Sequence, residues 1–283
     1  MGTSQSSKGS PSNVPMVPPW VSDVLPPSDG NKDNPVDNDD HADSASPQAD
    51  SNQPPIPPAP PGRFGPARTS LGRFAYTGSA EDMRRGIGHY VHKGLGGSRT
   101  AVRRFGSTAN TAGVLYNALS SIASGQTFSA GSPLDPVLLA GQSVDVVMDA
   151  VVEAVRPVDG TLDAEASRDA INNALSELLG RYPDADLLNL SNEQRLFAIE
   201  HYIAWDVFNR FRLDVGKTIQ DKAPSISMAL ARLKEARDYI REGIAASFRK
   251  IQGNRETLSS CQVKRMVLDV LKDAFIIFEG YLT

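Results

Sequence analysis

Cysteine is nearly missing from this chain: Cys261 is the only one in 283 residues. An intrachain disulfide is excluded, and with it the disulfide-framed class of small secreted folds. No apolar run approaches the roughly 20 residues that a membrane-spanning helix needs. The N-terminal residues lack the apolar stretch of a secretion signal, so the expectation is a soluble cytoplasmic protein that does not engage a membrane. Cys261 itself reads as a small packing residue rather than a nucleophile. No stretch alternates with the period of two that marks a half-buried strand, and no solenoid-type repeat is present.

What the chain does contain is unevenly placed. Fourteen of its twenty prolines fall in residues 1–62, where two lysines face eight aspartates and leave a charge of −6. Residues 63–105 carry nine Arg or Lys against Glu81 and Asp82, for +7, and residues 106–283 carry −5. Proline removes a backbone donor and fixes φ, so Pro54-Pro55-Ile56-Pro57-Pro58 cannot be helix or central strand. Too little apolar surface is on hand there to offset ordering entropy. Three regions are expected: a disordered acidic Pro/Asp-rich tail at 1–62, a basic Gly/Arg-rich and partly helical collar at 63–105, and an α-helical bundle at 106–283.

Helical spacing dominates the rest. Ser79 reads as an N-cap before Met83, Ile87, Tyr90 and Val91, with Gly94, Gly96 and Gly97 as the stop. Ser98 opens a second helix through Phe105 to Ile122. Ser143 caps Val144, Val147, Met148, Val151, Val152 and Val155, and Pro157 ends that run. Asp163 opens the next helix, and Gly180 reads as lying past its end. Ser191 and Gln194 have capping-box spacing at the start of a long helix through Phe211 towards Ile219, which Pro224 breaks. Two more apolar stripes come after it, Leu230 to Ile251 and Leu258 to Phe278. The fold class is all-α, a multi-helix bundle in which each helix buries one stripe.

Motifs for chemistry fail one by one. Val215-Gly216-Lys217-Thr218 resembles the end of a phosphate-binding loop, but Phe211 stands where that loop needs glycine. Asp159-Gly160 suggests a calcium loop, yet Val155 and Ala166 fall where carboxylates belong. His89 and His92 share a helix face without a third ligand. No metal, cofactor or catalytic set is expected, and the chain reads as not an enzyme. The collar is more suggestive. Gly94-Leu95-Gly96-Gly97-Ser98 offers free N–H groups at a helix start, and Lys93, Arg99, Arg103 and Arg104 cluster around it. That pattern allows phosphate or nucleic-acid contact, against the plainer reading of a solvated positive helix that meets an acidic partner, including the chain's own tail.

The N-terminus carries a different chemistry. Gly2 lets Met1 be removed, and Met1-Gly2-Thr3-Ser4-Gln5-Ser6 also fits a myristoylation pattern without a polybasic second anchor. The α-amine has a pKa of roughly 7.7–8.0 against about 10.4 for lysine, so far more of it is the free base at neutral pH. A small second residue is common, and by sequence alone an inert end is favoured over a reactive one.

Several stretches taken in order shift that balance. They are Val14-Pro15-Met16-Val17-Pro18-Pro19-Trp20, Ala59-Pro60-Pro61-Gly62-Arg63-Phe64, Gly94 to Ala101, Ser132-Pro133-Leu134-Asp135-Pro136, Arg156 to Thr161, Gln194 to Glu200 and Gly216 to Gln220. Together they resemble the QatB family of the bacterial Qat antiphage defence system over nearly the whole chain. The resemblance implies partners: a QueC-like deazaguanine enzyme, an ATPase and a TatD-like nuclease. It implies that the QueC-like enzyme joins a deazaguanine to Gly2 as an amide, with Thr3 and Ser4 in its cleft. Val14, Val17 and Trp20 would form a docking motif, although Trp20 folding back on its own bundle is an equal alternative. The other function the residues allow is a nucleic-acid-binding adaptor that works through the collar and recruits a nuclease.

Overall fold

The structure, a computed structural model, describes residues 60–129, 131–252 and 258–282. Gly2, Thr3, Ser4, Val14, Val17 and Trp20 lie outside the described residues. Among the described residues the regular structure is entirely helical. The order is α1 (Gly65–Thr77), α2 (Ala80–His89), a π-helical turn (Tyr90–Gly94), α3 (Ser98–Arg104), α4 (Gly106–Ala123), α5 (Pro136–Leu139), α6 (Val144–Val155), α7 (Leu162–Arg181) and α8 (Asn192–Phe211). A second π-helical turn (Arg212–Gly216), α9 (Lys217–Lys222), α10 (Ile226–Gln252), α11 (Ser260–Glu279) and a 3₁₀ turn (Gly280–Leu282) complete it.

Helix α8 forms the centre and packs on α4, α7 and α10, while α11 lies against α3, α4 and α10. It is buried on most sides, with Leu196, Ile199, Tyr202, Ile203, Val207 and Phe211 in the core, as a stripe wider than one face requires. The collar is not separate from this core: Leu71, Phe74, Ile87, Tyr90 and Phe105 belong to the same cluster as Phe248, Phe275 and Phe278. Each such side chain contributes about 1.5–3 kcal/mol by leaving water.

Local signals explain most helix ends. Ser79, Ser143 and Thr161 cap α2, α6 and α7, and Ser191 and Ser259 form full capping boxes with Gln194 and Gln262. Three helices stop at a residue before proline: Arg156 (φ −139°, ψ 81°), Tyr182 (φ −124°, ψ 79°) and Ala223 (φ −71°, ψ 144°). Proline's Cδ clashes with a helical preceding residue, so each is pushed to extended backbone.

Four details differ from the sequence reading. Helix α7 begins after Thr161 and runs through Gly180, because Pro183 rather than the glycine stops it. The helix expected from Ser98 to Ile122 is two, broken at Phe105 (φ −93°, ψ 18°), whose ring turns into the core against Phe275 at 5.2 Å. Helix α1 falls on the Arg63-Phe64 and Arg73-Phe74 echo, where no helix start was expected. Cys261 is exposed rather than packed, since it sits in the first turn of α11 on its outer side.

Candidate functional site

The glycine loop between α2 and α3 is built as the sequence suggests, but its anion is internal. Gly96 and Gly97 take φ +87° and +85°, a left-handed backbone that favours glycine. This turn aims the Ser98 N–H at Glu279 from the end of α11, donating to Oε2 at 3.1 Å. Glu279 Oε1 lies 2.6 Å from His92 Nδ1. Burial pushes the Glu279 carboxyl up, but the bonds from His92 and Ser98 outweigh it and hold it below the usual carboxylate range. The collar's cations are partly spent in the same way: Arg73 pairs with Asp82 at 3.2 Å and Arg85 with Glu81 at 2.6 Å. Lys93 and Arg99 are exposed, Arg103 is half-buried, and Arg104 turns inward. The four basic residues expected to act together therefore divide into an exposed pair, Lys93 and Arg99, and a half-buried pair, Arg103 and Arg104.

Arg104 leads to a cleft of about 350 Å³ between the collar and α8. Arg63, Tyr90, Leu95, Arg104 and Phe105 line it from the collar, and Asp163, Arg210, Leu213 and Asp214 from the opposite side. Both π-helical turns meet here. Tyr90, the first residue of one, donates from its hydroxyl to Asp214 Oδ2 in the other at 3.0 Å. A π turn adds a residue to the helical repeat and re-aims the side chains beyond it, and such turns concentrate at functional sites. The Arg63 end of the cleft is pinned by packing. Phe64 stacks on Tyr90 at 5.7 Å, and Tyr90 meets Phe211 edge-on at 5.2 Å. Gly94 leaves the room, because a Cβ there would lie 2.5 Å from the Phe64 ring.

The charges of the cleft are not equivalent. Arg210 is fully used: Nε to Asp206 Oδ2 at 3.2 Å, Nη2 to Ser107 Oγ at 2.8 Å and Nη1 to Asp163 Oδ2 at 3.5 Å. Asp206, wholly buried, also accepts from Thr108 Oγ1 at 2.6 Å, while its Oδ1 has no partner. Burial pushes the Asp206 carboxyl up despite Arg210 and Thr108. Arg104 donates Nε to Leu95 O at 3.1 Å. Arg63 Nη1 is buried and unpartnered, with the guanidinium 4.5 Å from the Phe64 ring centre. Burial lowers the Arg104 pKa first, and the charge of Arg63 lowers it further. Burial likewise pushes the Asp214 carboxyl up, more than Tyr90 and Arg63 pull it down.

Other expected sites resolve simply. Gly216-Lys217-Thr218 lies in the second π turn and α9, with helix before it. Asp159 Oδ1 accepts from Thr161 N–H and Oγ1, which is a turn beside a helix cap. Among the described residues no group of three or more His, Cys, Asp or Glu could hold a metal ion, and no helix is long and apolar enough to cross a membrane. Sequence reading missed Tyr90, Asp163, Arg210 and Asp214 as site residues; they are spread from one π turn to the other and no local motif joins them.

Fold and cleft define a class: an all-helical protein whose cleft is lined by guanidinium and carboxylate groups, with no Ser, Thr, Cys or His among its lining residues. Its sequence places it further. The family model described as QatB, Qat anti-phage system associated protein QatB, matches residues 96–278, more than half of the chain. The chain belongs to the QatB family and is a component of the Qat anti-phage system. No match was found among curated proteins or solved structures. Arg104, Asp163, Arg210 and Asp214 fall within the matched residues; Gly2, Arg63 and Tyr90 lie outside them.

Proposed function

We propose that this chain is a non-enzymatic member of its defence system, serving as partner and N-terminal modification substrate of a QueC-like enzyme. Membership of the QatB family is the observation that carries it. Gly2, made N-terminal by removal of Met1, is the acceptor. At pH 7.5 roughly a third of an α-amine is free base, against about a thousandth of a lysine, so the end of the chain outcompetes its lysines. The amine attacks a deazaguanine carboxyl that the partner has activated with ATP. A C–N bond forms, the C–O bond to the adenylate breaks, AMP leaves and the amine's proton goes to solvent. Thr3 and Ser4 are small enough to enter a cleft behind Gly2, and Val14, Val17 and Trp20 give the partner an apolar anchor. The cytoplasm, where the partner's ATP is present, is the compartment this chemistry requires.

Intact mass of the full chain co-expressed with its partner enzyme tests this. The expected result is a mass increase that maps to the N-terminal peptide and is lost in Gly2→Val. An unmodified N-terminus beside an active partner sinks the proposal. The alternative, a nucleic-acid adaptor working through the collar, draws less support, because Glu279 already fills the glycine loop and Arg104 turns inward. Its signature would be binding that weakens steeply with salt and with loss of Arg99, Arg103 and Arg104.

A further inference from the structure

The two π-helical turns meet at a cleft that keeps polar groups without a partner among the described residues. Arg210 has a partner for each of its three nitrogens and lies between Asp206 and Asp163. Arg104 donates Nε to the Leu95 backbone carbonyl. Arg63 presents a buried Nη1 with no partner. The Asp214 carboxylate accepts from Tyr90, and its backbone carbonyl accepts from Arg68. Two guanidiniums thus face one space, one of them with an unpartnered donor, and an acceptor lies beside them.

A buried N–H donor without a partner is costly, and two like charges near each other disfavour one another. Folding tolerates that arrangement where an anion completes it. Guanidinium forks match the planar or tetrahedral oxygens of carboxylate and phosphate, and such bonds are about twice as strong as neutral ones. A volume of about 350 Å³ is that of a small-molecule site. Leu95, Phe105 and Leu213 give the same space an apolar wall.

We propose that this cleft binds a small ligand through an oxyanion, a phosphate or carboxylate group, held between Arg63 and Arg104, while Asp214 accepts from a donor on the same ligand. Charge is consistent with the direction: burial and Arg63 disfavour a charged Arg104, Asp214 offsets them only in part, and a bound anion would add to Asp214. The site goes beyond the Gly2 reading and stands or falls separately from it.

Calorimetry on the full chain tests the site, with inorganic phosphate and adenosine 5′-monophosphate as probes and adenosine as the uncharged control. The expected result is saturable one-to-one binding of the anions, with the mononucleotide tighter than phosphate and adenosine silent. Arg63→Met and Arg104→Gln should each weaken binding by about tenfold or more, and Arg99→Gln, on the outer surface, should leave it within about twofold. Arg63→Met also separates ligand binding from a structural role. It removes the buried, unpartnered Nη1 and keeps an apolar side chain against Phe64, so the anion-free melting temperature should stay level or rise while the anion-induced shift is lost. Non-saturable binding, an equal loss in Arg99→Gln, or an Arg63→Met variant that melts lower yet binds normally would overturn the proposal. The chain's own carboxylates are another source of the same chemistry. Replacing the eight aspartates of residues 1–62 with asparagine distinguishes it: unchanged phosphate affinity supports a free ligand, and tightening by about tenfold or more overturns the free ligand in favour of the chain's own acidic segment.

Discussion

A single half-buried carboxyl shows how partial burial shifts an ordinary residue's titration. Glu200 lies on α8, and burial pushes its pKa up to about 7; Arg249 pulls it down, Glu242 adds to the rise and Arg241 opposes it. From its ordinary value of 4.5 up to about 7, the folded chain keeps a proton that the unfolded chain has released. Stability therefore falls as pH rises through that window and levels off above it. Glu200→Gln should remove the slope, matching the parent near pH 4 and exceeding it by about 1–3 kcal/mol at pH 8 in urea denaturation. A variant with the parent's pH profile would count against it. The buried pair beside the cleft behaves differently. Arg210→Met strands Asp206 with only Thr108 for company and should cost about 3–5 kcal/mol. Adding Asp206→Leu should recover much of that loss, so a double-mutant cycle that came out additive would contradict the pairing.

Among the helices, glycines of identical type carry opposite consequences. Gly180 lies exposed in α7 with nothing within 4 Å of a Cβ, so Gly180→Ala should stabilise by about 1 kcal/mol through helix propensity alone. Gly88 in α2 faces Phe278 O at 2.9 Å and Leu282 Cγ at 3.0 Å from the same imagined atom. Gly88→Ala must push α2 off the end of α11 and should lower stability, against the propensity gain. Thermal melts of the two variants, moving in opposite directions, check the packing of α2 on α11. The π turns belong to this scale as well. They look like helix in sequence, because apolar spacing across one inserted residue differs little from an unbroken stripe. Only the meeting of Tyr90 with Asp214 reveals why both insertions sit where they do.

Across the described residues, the last helix reaches back to the positive block at 63–105. Glu279 travels from the far end of the described chain to the start of α3, where it occupies the loop that glycine spacing offers to an anion. Glu279→Ala should cost about 1–2 kcal/mol by stripping the Ser98 N–H of its partner. It should also raise the collar's affinity for a polyanion such as heparin, in a salt-dependent way, by removing a competing carboxylate. Heparin retention unchanged by the substitution would mean that the loop is closed by more than Glu279. The blocks of −6, +7 and −5 were visible in composition, yet composition gave no sign that the positive block is partly neutralised by its own fold.

Helix caps, proline stops and apolar stripes are local, so the sequence by itself determined the helical class, most helix boundaries and the exclusion of the familiar catalytic motifs. Ser191 with Gln194, and proline after Arg156, Tyr182 and Ala223, act through neighbours one to three residues away. Family membership was equally legible, since it rests on the order of short stretches. The cleft was not. Arg63, Tyr90, Arg104, Asp163, Arg210 and Asp214 come from separate segments, and only packing around α8 brings them to one wall. Whether a cation is spent or available is likewise a tertiary fact: Arg104 and Arg99 read alike in sequence, but one points into a cleft and the other into water. Charge acts over ångströms in space and not over positions in the chain, which is why the collar could be recognised early and its true anion could not.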